Sequence, residues 1–161
     1  MSTAISMLLA ATLLVAALAK LRDPAPFRAT LRTLTGARAA RVLTVAVPVI
    51  EALLAVALIA GVALAPLAVV ALMLAFTAVL GRLVVPCNCF GARNDLRPGA
   101  ARVRNLLLAT GALAIVVWPA EAVWHVPAGE LLAAATVVVG AICVWQLLVA
   151  LSAGSLRSHP R

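Results

Sequence analysis

The chain has 161 residues, of which 65% are hydrophobic and only 11% charged, and its mean hydropathy is +1.16. A soluble domain is about 45–50% apolar and about a quarter charged, and a small domain leaves too much surface in water to hide such an excess. An ordinary soluble enzyme and a disordered chain are both excluded. The net charge of +8 then asks for an explanation in membrane topology rather than in nucleic-acid binding.

A bilayer core of about 30 Å takes roughly 20 helical residues. The first such run covers residues 3–19 and carries no charge; Lys20 and Arg22 stop it, and Pro24 and Pro26 break the helix. Its start lacks the Lys or Arg of a signal peptide, and cleavage after Ala19 would export the basic segment that follows, so it is read as a retained span. Between it and the next span, Phe27, Leu31 and Leu34 share one helical face beside Arg28 and Arg32. That pattern suits either an interfacial helix over 25–36, its basic residues meeting anionic headgroups, or a solvated basic loop. The second span covers 42–64, with Pro48 and Glu51 inside it. Pro66 opens a third, 66–85, and the short link makes the two an antiparallel hairpin. A fourth covers 103–123 and a fifth 131–151. Pro119 and Glu121 interrupt the fourth early, which leaves a four-span alternative. No alternation of period two competes with helices, and backbone inside lipid must be helical or closed into a barrel. The expectation is an all-α integral membrane protein, one domain over 1–161, built as a compact bundle of five helices.

Five spans put residues 20–41, the segment between the third and fourth spans and the C-terminal tail on one side. All 13 Lys and Arg residues fall within 20–41, 82–104 and 157–161, whereas Glu121 and Glu130 lie opposite. The bias of Lys and Arg in short loops places that side in the cytoplasm. The N-terminus is then outside the cell membrane and the C-terminus inside. A four-span chain would export Arg157 and Arg161, against the same bias.

Two places carry chemistry. Cys87 and Cys89, one residue apart, sit just after the third span between Pro86 and Gly91, with several arginines nearby. Cationic neighbours favour thiolate. A disulfide between them closes a very small ring, and a strained disulfide is easily reduced, which suits a bond that is made and broken. The alternative is a pair of small apolar residues at a helix end. Two thiolates are too few for a closed zinc site, and His125 and His159 lie in other regions, so neither a metal nor a cofactor is expected. Cys143, inside the fifth span, reads as a packed core residue or as a third thiol that meets the pair through helix packing. The second place is Glu51, roughly 15 Å deep at the helical rise. An intramembrane acid is a functional candidate by default. It is read as a proton relay or as half of a structural ion pair, with Arg82, near the same membrane face, as its expected partner. Asn105, beside Arg104 at the start of the fourth span, can bond across helices.

The sequence resembles the MauE group of methylamine-utilisation proteins, within the wider DoxX-like set of small helical membrane proteins. The matching features come in order: Lys20 with Phe27, Pro48-Val49-Ile50-Glu51, Gly81-Arg82, Cys87-Asn88-Cys89-Phe90-Gly91 and Arg104-Asn105. The family usually has Gly between the two cysteines, where Asn88 stands here. The resemblance implies a role in maturation of methylamine dehydrogenase, whose small subunit is exported and rich in disulfides, alongside a thioredoxin-like partner. Cys87 and Cys89 would form the redox pair, with Glu51 and Arg82 handling a proton. Pro48, Phe90, Gly91, Arg104 and Asn105 would support them. That enzyme matures outside the cytoplasm, whereas the charge bias puts the cysteines on the cytoplasmic face. Electrons would cross the bundle from a cytoplasmic thiol donor, or the pair would be reached from within it. Two other functions compete: a non-catalytic assembly or transport factor, and a small transporter whose Glu51 binds a proton or an amine.

The orientation is testable by reporter fusions. Fusions after Arg32 and after Asp95 should report the cytoplasm and one after Glu121 the exterior; an external signal after Asp95 would reverse the assignment.

Overall fold

The structure, a computed structural model, describes residues 2–82, 98–119, 125–129, 132–133 and 135–136. They include five helices, α1 Ser2–Arg22, α2 Pro24–Thr35, α3 Ala37–Ile59, α4 Ala65–Arg82 and α5 Pro98–Val117, and short helical pieces at 128–129, 132–133 and 135–136. No strand occurs among the described residues. Ser2–Arg22, Ala37–Ile59 and Gly99–Val117 are long and apolar enough to cross a membrane, and Ala65–Val79 is a shorter apolar helix. The expected fifth span, 131–151, and the segment with Cys87 and Cys89 lie outside the described residues, apart from short pieces of the former.

The helix ends differ from the ends of the apolar runs because backbone punctuation, not hydropathy, sets them. The apolar run of α1 stops at Ala19, yet the helix continues through Lys20 and Arg22. It ends where Asp23 precedes Pro24, since a residue before proline is driven out of the helical region; Asp23 has φ −135° and ψ 82°. Pro24 then serves as a first-turn proline for α2. Gly36, with φ 81° and ψ 168°, separates α2 from α3, a conformation open essentially to glycine alone. α3 therefore begins at Ala37, ahead of the first apolar residue of the expected span.

A Schellman motif closes α3 before that expected span would end. Gly61 takes φ 69°, its N–H donates to the Leu58 carbonyl (3.2 Å) and the Val62 N–H to the Ala57 carbonyl (3.0 Å). Pro48 lies inside α3 without ending it. Its ring removes the donor that would meet the Thr44 carbonyl, and the Thr44 hydroxyl donates to the Ala40 carbonyl at 2.6 Å.

α1, α3, α4 and α5 form a ring in which α1 packs on α3 and α5, and α4 packs on α5 and α3. Ser6, Leu58, Pro66 and Ile115 share a cavity at one end, and Lys20, Glu51, Phe76 and Asn105 share another nearer the opposite end. Consecutive members of the ring therefore run antiparallel. α2 lies against α3 and α1 at the second end, with Phe27 buried and Leu31 and Leu34 half-buried. Every Lys and Arg of the described residues belongs to that end, on the last turns of α1 and α4, the first turns of α3 and α5, or α2.

The interior is rich in small side chains. α1 buries Ala10, Ala16 and Ala17, α3 buries Ala40 and Ala55, and α5 buries Ala101, Ala109 and Ala112. With the other buried positions of α1 and α3, such as Leu13, Lys20, Thr44, Pro48 and Glu51, they follow steps of three and four residues, so each helix turns a narrow face inward. Leu9, Leu13, Leu58, Val69, Met73 and Ile115 fill the core between them, while many other large apolar residues point out: Leu53 is 64% exposed, Val42 67% and Leu107 66%. Such a surface belongs in lipid, where close approach of small residues, rather than exclusion of water, holds helices together. The chain is a helical membrane protein.

The connector between α2 and α3 gives a test. A Cβ at Gly36 would meet nothing within 4 Å, so the cost of Gly36→Ala is backbone strain alone, about 1–3 kcal/mol. Its unfolding temperature in detergent should fall by several degrees. Gly99→Ala, equally uncrowded and without positive φ, should be neutral or slightly stabilising. Equal melting of the two variants would show that Gly36 is not held in this conformation.

Candidate functional site

At the basic end of the ring every helix contributes a side chain to one buried cluster. α1 supplies Lys20, α2 Phe27, α3 Glu51, α4 Phe76 and α5 Arg104 with Asn105. The periodicity of each helix explains the convergence. Lys20 continues the inward face of Leu13, Ala16 and Ala17 at steps of three and four. Glu51 continues the face of Thr44 and Pro48 and is followed by Ala55. A charge at such a position must go inside, whatever its cost.

The Lys20 ammonium donates to both carboxylate oxygens of Glu51, at 2.6 Å to Oε1 and 2.7 Å to Oε2. Both residues are almost fully buried, 2% and 1% exposed. The same ammonium lies over two aromatic faces, 5.5 Å from the Phe27 centroid and 5.7 Å from that of Phe76. Both are within the range of a cation–π attraction, which strengthens when the cation is desolvated. Glu51 thus neutralises the charge while the two rings cover what the carboxylate does not reach.

α5 closes the cluster. Arg104 Nη2 donates to Asn105 Oδ1 at 3.0 Å. Arginine has only donors, so this bond fixes which atom of the Asn105 amide is the oxygen. Asn105 is 2% exposed, and its Nδ2 has no hydrogen-bond partner among the described residues. Beside it lies a cavity of about 20 Å³ bordered by Lys20, Glu51, Arg104 and Asn105.

The structure brings together Glu51, Arg104 and Asn105, with Pro48 one turn from Glu51 on the same buried face. Arg82 ends α4 at this end of the bundle, but its side chain lies outside the described residues, and so does the pairing expected of it. The partner that the structure shows for Glu51 is Lys20. Cys87, Cys89, Phe90, Gly91 and Cys143 also lie outside the described residues. Sequence reasoning missed Lys20 as the partner of Glu51, and missed Phe76. Lys20 read as the stop of an apolar run, because a lysine after such a run normally reaches the headgroups; its place in the three–four repeat of Leu13, Ala16 and Ala17 was the available signal. Phe76 carried no signal beyond being the one aromatic residue of its helix.

The pair predicts strong non-additivity. Lys20→Met or Glu51→Leu alone leaves a buried charge uncompensated, which costs about 3–5 kcal/mol. The double variant removes both charges and should be destabilised by clearly less than the sum. Thermal unfolding of the four proteins in detergent completes the cycle, and additive losses would show that the pair does not couple α1 to α3.

The family model described as Methylamine utilisation protein MauE matches residues 1–120. No curated protein and no solved structure matches the chain. The matched stretch takes in all five described helices, the whole of the buried cluster and, in sequence, the Cys87-Asn88-Cys89 segment. With three quarters of its length matched and its helices apolar enough for a bilayer, the chain belongs to the MauE family of membrane proteins.

Proposed function

We propose that this protein carries out thiol–disulfide exchange for exported proteins at the cell membrane, in support of methylamine dehydrogenase maturation, with Cys87 and Cys89 as the redox pair. The observation that carries this reading is the family match over a stretch that includes both cysteines. Connectivity supports it. The cysteines lie in the chain between Arg82, the last residue of α4, and Pro98, the first of α5. Those two helices place Phe76 and Asn105 against the buried cluster.

The exchange balances as follows. A thiolate of the reduced pair attacks a sulfur of a partner disulfide, forming a mixed disulfide and expelling the partner's other sulfur as thiolate. The second cysteine then attacks the mixed disulfide. The partner leaves as a dithiol, and Cys87 and Cys89 are left joined, two electrons having moved to the partner; the reverse sequence oxidises a partner dithiol. A strained ring favours the reverse direction. Glu51 serves as proton acceptor or donor, and Arg82 flanks the cysteine segment as its cationic neighbour. A thioredoxin-like protein and an exported, disulfide-rich subunit are the fitting partners. The chain folds as a five-span, DoxX-like bundle, N-terminus outside, with its basic end in the cytoplasm.

Both Glu51 oxygens accept from Lys20, which counts against that carboxylate holding an amine cargo. The assembly-factor reading keeps the same fold and differs only at the cysteines. Cys87→Ser and Cys89→Ser should each abolish activity in a complementation assay while membrane insertion is unchanged, and Cys143→Ala should be nearly silent. A redox titration should show one two-electron couple that both serine variants lose. Full activity in the Cys87→Ser/Cys89→Ser double variant would eliminate the exchange reading in favour of the assembly factor.

A further inference from the structure

The Asn105 amide poses a problem that the ion pair does not solve. Its Oδ1 accepts from Arg104 at 3.0 Å, and its Nδ2 is buried with no acceptor among the described residues. A buried donor left unmet bears its full desolvation penalty, so the amide calls for an acceptor nearby. The neighbouring cavity, about 20 Å³ in volume, exceeds the roughly 10–15 Å³ that one water needs. Volume alone does not make a water site; two to four polar partners must also surround it. Two groups on the border can accept. Each Glu51 oxygen takes one hydrogen bond from Lys20, whereas a carboxylate has about four lone-pair sites. Thr12 also borders the cavity. Its hydroxyl hydrogen goes to the Leu8 carbonyl at 2.8 Å, which leaves the oxygen lone pairs as acceptors. One donor and two acceptors around a space of this size complement a molecule that itself both accepts and donates.

We infer that the cavity beside Asn105 is the site of one structural water, which accepts from Asn105 Nδ2 and donates to the Glu51 carboxylate and to Thr12 Oγ1. The water joins α5 to α1 and α3 by hydrogen bonds at the level of the ion pair. It also gives the buried carboxylate an exchangeable proton as a neighbour, which is what the proton role proposed for Glu51 requires. That use rests on the exchange reading, whereas the place of the water does not.

The isotope-labelled protein is studied by NMR in neutral detergent, with the Asn105 side-chain amide assigned through its own backbone. Although Asn105 is only 2% exposed, its amide protons should show cross-relaxation with the water resonance, of the sign that a long-lived bound water gives. A rotating-frame spectrum separates this dipolar contact from proton exchange. Absence of the cross-peak in the unaltered protein overturns the proposal. Ala16, buried on the border of the cavity, supplies the second measurement. Ala16→Val fills the space with methyl groups and should abolish the cross-peak. A cross-peak that survives in Ala16→Val overturns the proposal too, because the water then lies elsewhere. The first measurement needs no variant, so a poorly folding Ala16→Val does not rescue the idea. Neither measurement involves a cysteine, so failure here is distinct from failure of the exchange reading, which the serine variants test.

Discussion

An ammonium and a carboxylate can share the interior of an apolar bundle only by neutralising one another at hydrogen-bond distance. Alone, either would carry a desolvation penalty of several kcal/mol. The Lys20–Glu51 pair therefore constrains everything around it. α1 must stay helical past its last apolar residue, so that Lys20 remains on the inward face. α3 must be rotated so that Glu51 points the same way. The two helices cannot slide along each other by even one turn, about 5.4 Å, without parting the charges. The ends of α1 and α3 are in turn fixed by Asp23-Pro24 and by Gly36, which hold α2 where Phe27 covers the ammonium.

The small residues make that pair possible. A lysine reaching from one helix to a carboxylate on the next meets both oxygens at 2.6–2.7 Å only if the helices lie close. Ala16 borders the same cavity as the pair, and Ala17 and Ala55 are buried on the inward faces of α1 and α3. Packing in lipid gains little from covering apolar surface, since the tails cover it equally well, and gains instead from contact and from satisfied polar groups. The alanines of the inward faces are thus part of the same arrangement as the buried ion pair.

Much of this was legible in the sequence, and the rest was illegible for identifiable reasons. Composition establishes the membrane class, and the one-sided distribution of basic residues survives as a one-sided bundle end. The helix over 24–35 was legible in the spacing of Phe27, Leu31 and Leu34. Glu51 stood out because an acid inside an apolar run has no trivial explanation. Its partner was hidden because Lys20 did have one: a cation at the end of a span is ordinarily a topology marker. The distinction between a lysine that snorkels and one that turns inward depends on helix phase. Phase is visible only when the small residues upstream are counted as an inward face rather than as neutral filler. Phe76 could not be found at all, because pairing a ring with an ammonium far away in the sequence requires the ring of helices to be known first.

The choice of lysine over arginine at position 20 follows from the same geometry. A guanidinium offers a broad planar fork with five donors, and burying it demands several acceptors. A single carboxylate and two hydrocarbon rings cannot meet that demand. An ammonium is compact: two of its donors go to Glu51, and its remaining surface is satisfied by the faces of Phe27 and Phe76 at 5.5 and 5.7 Å. Arginine is used instead on α5, where Asn105 Oδ1 supplies a neutral acceptor. The cluster is consequently graded, with the most compact charge deepest in aromatic cover and the broader one beside an amide and a cavity. α4 and α5, which flank the cysteine segment in the chain, each meet this cluster, through Phe76 and through Arg104 with Asn105. Both helices that flank the segment in the chain are therefore packed against one ion pair, so a change at Lys20 or Glu51 acts on the positions of α4 and α5.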